Sequence, residues 1–153
     1  MVNELPPMTL RTIGVVRNEI KERPPARHDW GAGTVSEIVI DSNLTAALDG
    51  LEELSHIIVL YWMHRLTSHE LSLKVHPRGK RELRLVGLFG TRSPNRPNPI
   101  GKATVRLLQR QDNILRVEGL DAIDGTPVID IKPYIPGYDS IDDAKVPQWL
   151  TNL

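Results

Sequence analysis

The chain has 153 residues, 40% hydrophobic and 25% charged, with 19 basic against 19 acidic side chains and no cysteine. That is the length of one domain with a globular balance, and zero net charge supplies no global field to mark a nucleic-acid binder. The missing thiols exclude disulfides, thiolate metal sites and a cysteine nucleophile.

The first seven residues carry Glu4, Pro6 and Pro7 with no apolar run, so they do not read as a signal peptide. No apolar run approaches the ~20 residues of a membrane span, and elimination leaves the cytoplasm as the expected location. Leu10 to Val16 reads as a strand: it is rich in β-branched residues and bounded by Pro7 and the polar Arg17-Asn18-Glu19. Lys21 to Gly33 is irregular, holding Pro24, Pro25, Gly31 and Gly33 with Arg27, His28, Asp29 and Trp30. It is either a connector or the wall of a site, since function concentrates on loops. Thr34 to Ile40 alternates as a strand. Asp41-Ser42-Asn43 then caps a short amphipathic helix. Its stripe is Leu44, Ala47, Leu48 and Leu51, and Gly50 is its stop.

His56 to Met63 is an unbroken apolar run, which predicts a strand buried on both faces. His64 and Arg65 follow it, either as a pocket rim or as the point where the strand meets water. Thr67 to Arg84 concentrates Lys74, His76, Arg78, Lys80, Arg81 and Arg84 against only Glu70 and Glu82. Such a run is a solvated loop or a surface that tracks phosphates. Glu82 to Phe89 and Ile100 to Gln109 are further expected strands, and Asp112-Asn113 is a hairpin turn. Ile114 to Leu120 returns with Leu115 and Val117 facing in and Arg116 and Glu118 facing out. Pro127 to Ile131 is the last strand. The acidic tail beyond Gly137, with Trp149, is expected to pack on the body or on a second subunit. About six short strands, many turns and one short helix predict a mostly β domain closed, or nearly closed, as a single small barrel. One domain covers residues 1–153, with its core over about 10–139 and a tail over 140–153.

Between these strands lies the stretch from Gly87 to Gly101, with Pro94, Pro97 and Pro99 interleaved with Arg92, Asn95, Arg96 and Asn98. Each proline fixes its own φ, removes a donor and restrains the residue before it. A segment so braced is neither helix nor central strand. It can still hold polar groups ready for a ligand at little entropic cost. Its two guanidinium groups suit an anionic or carboxylate-bearing ligand. Ser93 lies between Arg92 and Pro94 with no base beside it in sequence. The five histidines show no close pairing that would ligate a metal. Neither common glycine-rich phosphate cradle is present. Asp121 and Asp124 read as turn-capping acids or as carboxylates for a ribose or an amine. Asp130 and Lys132 fall on one strand face, where they can form a local ion pair.

Two long motifs carry a family resemblance: Thr91-Arg92-Ser93-Pro94-Asn95-Arg96-Pro97-Asn98-Pro99-Ile100-Gly101, and Leu120 through Tyr134. With Ile13-Gly14-Val15-Val16-Arg17 and Tyr61-Trp62-Met63-His64, they make the chain similar to the TrmO family, also called YaeB-like or TsaA-like. The similarity runs from Leu10 to Asp139. It implies an S-adenosylmethionine-dependent methyltransferase built on one β-barrel. That enzyme would transfer methyl to N6 of threonylcarbamoyl-adenosine beside the tRNA anticodon. It would act as a homodimer with the cofactor near the subunit interface. By match, the cofactor contacts are Pro25, Ala26 and Arg27; His64 and Arg65; Arg92; Lys102; and Glu118, Gly119, Leu120 and Asp121. Asp124, Asp130 or Tyr134 would take the N6 proton. The basic run around Arg78 to Arg84 would track tRNA phosphates. A barrel enzyme acting on a small molecule and a non-catalytic RNA-binding module are the competing functions. The first would ignore salt, and the second would hold RNA without S-adenosylmethionine.

Overall fold

The structure, a computed structural model, describes residues 4–24, 30–66 and 70–151. Six strands close into a barrel: β1 (Gly14–Arg17), β2 (Val35–Ile40), β3 (His56–Trp62), β6 (Ile100–Gln111), β7 (Ile114–Glu118) and β8 (Pro127–Pro133), in the order β1-β2-β7-β6-β3-β8. Every neighbouring pair is antiparallel, so a closed ring leaves no sheet edge. The alternation of β2, β6 and β7 puts Ile38, Ile40, Val105, Leu115 and Val117 inside, where they are buried with Ile57, Val59 and Val128. As the alternation predicted, Arg116 is exposed outside.

The element between β2 and β3 is a 3-10 helix, Ser42–Leu48, rather than an α-helix. Asp41 caps it by accepting from the Asn43 amide at 3.0 Å. Leu48 is buried and Leu44 and Leu51 pack against the core, so the segment covers that end of the barrel. The chain then turns through Gly50 at φ 89.

Two expectations need correction. Leu10 to Thr12 lies outside the ladder, which begins at Gly14. Glu82 to Phe89 is not a barrel strand. Only Val86–Gly87 (β5) pairs, with Lys74–Val75 (β4), as a two-stranded hairpin, and Leu88–Gly90 is a 3-10 turn. The six other strands already pair on both sides, so no barrel edge remains for it to join. After β8 come two four-residue helices, α1 (Pro136–Asp139) and α2 (Gln148–Thr151). Trp149 is half-buried there. No helix among the described residues is long and apolar enough to cross a membrane.

Antiparallel order decides what shares an end. The end of β1, the start of β2, the end of β3, the start of β6 and the β7–β8 turn all lie at one mouth of the barrel. The 3-10 cover, the Asp112-Asn113 hairpin turn and the exit of β8 lie at the other.

Candidate active site

At the open mouth is a cavity of about 560 Å³. That lies within the range of small-molecule sites, roughly 300–1,000 Å³. Trp30, Met63, Leu66, Ile100 and Ile123 give it apolar walls, and Arg23, Arg65, Arg92, Arg96 and Lys102 give it five cations. Asp121 is the carboxylate on its wall among the described residues.

The proline-braced loop is pinned from within. Arg96 donates to the carbonyls of Thr91 at 3.1 Å and Ser93 at 3.2 Å, and its guanidinium lies 5.9 Å from the Phe89 ring centre. The Thr91 hydroxyl donates to the Leu88 carbonyl at 2.8 Å and accepts from the Ser93 amide at 3.2 Å. The Asn95 side chain donates to the Glu70 carbonyl at 3.1 Å. Arg92, on the same loop, is exposed and forms no hydrogen bond or ion pair among the described residues. One arginine therefore builds the loop, while the other is a free cation at the cavity.

The opposite wall is the β7–β8 turn. Leu120 is fully buried and anchors it. The Gly119 amide donates to the Thr34 carbonyl at 3.0 Å. Asp121 receives a hydrogen bond from the Tyr61 hydroxyl on Oδ1 at 2.7 Å. Tyr61 is 4% exposed. Burial, then the neighbouring Asp121 charge, pushes its phenol far above the usual value, so it remains the donor. Tyr61 faces Gly101 across the β3–β6 ladder, and a Cβ there would overlap its ring. Gly31 makes a similar approach: a Cβ would stand 2.6 Å from the Asp121 amide. Both glycines are spacers for this wall.

His64 lines the cavity with Arg65. Partial burial, then the Arg65 charge, holds the imidazole below its ordinary value, so it is neutral near pH 7. Arg65 itself donates to the Lys21 carbonyl at 3.2 Å. Lys102 reaches Thr104 at 3.1 Å.

The structure thus brings His64, Arg65, Arg92, Lys102 and Asp121 to one cavity, with Glu118, Gly119 and Leu120 behind Asp121. Pro25, Ala26 and Arg27 fall outside the described residues. The three candidates for the proton are placed differently. Asp124 accepts from the Asn18 amide at 3.1 Å and from Lys21 at 2.8 Å, which holds the turn while its neighbour Ile123 lines the cavity. Asp130 lies in mid-strand, ion-paired with Lys132 at 2.8 Å. Tyr134 is beyond the far end of β8, edge-on to His56 with ring centres 6.4 Å apart. None of the three is on the cavity wall.

Three contributors had no site role legible in the sequence. Tyr61 hides in an apolar run. Arg23 sits in a loop read only as a whole. Asn18 donates to the Ser36 hydroxyl at 2.9 Å and the Ala122 carbonyl at 2.8 Å, tying β1 to both the turn and β2. A polar residue just after a strand carried no signal of that reach. No group of three or more His, Cys, Asp or Glu that could hold a metal ion occurs among the described residues.

A family model for the tRNA-methyltransferase O N-terminal domain matches residues 17–140. A probable S-adenosyl-L-methionine-binding protein of Methanothermobacter thermautotrophicus is 50% identical over 134 residues, covering 86% of this chain and 93% of its own. The mouse tRNA (adenine(37)-N6)-methyltransferase is 41% identical over 107 residues, 70% of this chain and 25% of its own. The crystal structure of TrmO from Pseudomonas aeruginosa superposes with TM-score 0.72 at 30% identity, over 91% of this chain and 61% of that one. Of a similar protein from Archaeoglobus fulgidus, 47% identical, this chain spans 37% of the length.

Proposed function

The chain belongs to the tRNA-methyltransferase O N-terminal-domain family, and from that premise we propose that it binds S-adenosylmethionine in the cavity at the barrel mouth. There it methylates N6 of adenosine 37 in tRNA, with the threonylcarbamoyl-modified base as substrate. The observation that carries this is the pairing of an unpartnered guanidinium, Arg92, with a fixed carboxylate, Asp121, on the walls of one cavity. The names of the methanogen and mouse relatives support the cofactor and the reaction.

The donor set fits that cofactor: a free cation for its carboxylate, an acceptor for its hydroxyls or amine, and apolar walls for its ring. Bound there, it supplies an electrophilic sulfonium methyl. Arg92 holds the carboxylate by a charge-assisted pair. Asp121 accepts from a ribose hydroxyl or the adenine amine, and backbone groups from Glu118 to Leu120 read the adenine edge. Arg65 and Lys102 close the rim. Alignment and exclusion of water are the protein's main contributions to such a displacement. His64, neutral and on the cavity wall, takes the N6 proton. Asp124, engaged by Lys21 and Asn18, holds the turn beneath it.

The β4–β5 hairpin offers the RNA surface. Lys80, Arg81 and Arg84 are exposed. Arg78, at φ 58, keeps a buried guanidinium nitrogen without a hydrogen-bond partner among the described residues. A homodimer with the cavity near its interface belongs to the same proposal, supported by apolar side chains left in water, such as Phe89 at 79% and Leu73 at 74% exposed. Sedimentation equilibrium tests it, and a monomer at micromolar concentration would remove it. A cytoplasmic location belongs to the same proposal.

The deciding experiment offers methyl-labelled cofactor with tRNA bearing or lacking the threonylcarbamoyl group. Label on the modified tRNA alone is expected. Label on both removes the requirement for the modification. Cofactor binding with no transfer to either tRNA overturns the reaction.

A further inference from the structure

We infer that Tyr61 is the positioning residue of the cavity: its hydroxyl occupies one oxygen of Asp121 and leaves the other as the acceptor offered to a nucleoside ligand. This deepens the function proposed above and rests on it.

Asp121 belongs to no strand. It stands on a turn between β7 and β8, where a carboxylate can rotate among several orientations. Among the described residues, Tyr61 is its hydrogen-bond donor, at 2.7 Å to Oδ1 and 3.3 Å to the backbone carbonyl of the same residue. Side chain and main chain of Asp121 are thus gripped by a single hydroxyl. The grip is stiff because Tyr61 is buried near the end of β3 and paired on both sides, to Gly101 of β6 and Val128 of β8. It sits beside the register shift at Leu60/Tyr61, where Asp130 pairs with Leu60 and Val128 with Tyr61. Such irregularities re-aim side chains next to sites. Gly101 gives the ring its bed, and Gly31 lets the neighbouring loop close on the Asp121 backbone. A core needing only volume here would be served by phenylalanine. The hydroxyl adds nothing to the packing except this bond, which is made to a cavity residue. An acceptor held this way pays less ordering entropy on binding.

The test is a double-mutant cycle read as cofactor affinity. Calorimetry with S-adenosylmethionine is run on the full chain as wild type, Tyr61→Phe, Asp121→Asn and the double variant. Tyr61→Phe should raise Kd about tenfold, the scale of one hydrogen bond to a charged group. Asp121→Asn should raise it at least as much, and the double variant should bind no worse than Asp121→Asn alone. Gly101→Ala, which displaces the same ring while keeping the hydroxyl, should resemble Tyr61→Phe. Circular dichroism and thermal melts on each variant separate loss of fold from loss of grip. Wild-type affinity in a folded Tyr61→Phe variant, or penalties that simply add, would overturn the inference while leaving the cofactor site standing. A wild-type chain that binds no S-adenosylmethionine would overturn the proposed function, and this inference with it.

Discussion

Arg92 and Arg96 lie four positions apart on one loop and do opposite work. Arg96 is bound to two carbonyls of its own loop, whereas Arg92 faces the cavity without a partner among the described residues. Arg92→Ala should therefore weaken cofactor binding by about 1.5–3 kcal/mol, the scale of a charged hydrogen bond, and leave the melting temperature alone. Arg96→Ala should lower both. Calorimetry and thermal melts on the two variants check this, and equal cofactor affinity in Arg92→Ala removes its role. His64 carries the pH dependence. As the proton acceptor it must be neutral, and burial followed by the Arg65 charge lowers its value from the ordinary 6.5. Activity is thus full where the imidazole is neutral, and kcat/KM falls as pH drops through a value below the ordinary one. Arg65→Gln should move that acid limb upward, and His64→Gln should abolish it. A limb that persists in His64→Gln belongs to another group.

Strands carry the stability, and the strands were the most legible part of the chain. Leu115 in β7 is fully buried while its neighbour Arg116 is exposed. Leu115→Ala should cost about 2–5 kcal/mol in denaturant unfolding, and Arg116→Ala should stay within about 0.5 kcal/mol. Alternation foretold both facings, because a period of two is visible in five residues. The same cue misled at Glu82 to Phe89, where apolar residues recur but the closed barrel leaves no edge to join. Local pattern cannot report whether a partner strand is free. The site divides the same way. Arg92, His64 and Asp121 stood out through motif and resemblance. Tyr61 stood in a quoted motif but had no site role, since an apolar run conceals which member points a hydroxyl across the barrel. Tyr134 was drawn towards the site by motif proximity, yet antiparallel order sends it to the far end beside His56. Sequence distance along β8 becomes spatial distance, which only the topology reveals.

A chain with formal net charge 0 can still steer RNA if its charges are segregated. Here they are. The cavity mouth carries five cations and the hairpin adds Lys80, Arg81 and Arg84, while Asp139, Asp142 and Asp143 gather in the tail. Barrel closure makes the division possible. With every strand paired on both sides, the hairpin hangs outside the ladder, free to follow a backbone without disturbing the core. Replacing Lys80, Arg81 and Arg84 with glutamine should therefore weaken tRNA binding at low salt. It should also reduce the slope of log affinity against log salt by about 2–3, at roughly 0.7–0.9 for each phosphate no longer neutralised. Cofactor affinity and the melting temperature should not move, because all three side chains are exposed. Filter binding at several salt concentrations gives the slope. If it stays unchanged, the phosphates run across the cavity cations instead. In that case the hairpin's charges are solvation alone, and the RNA would have to approach the mouth of the barrel directly over Arg23 and Lys102.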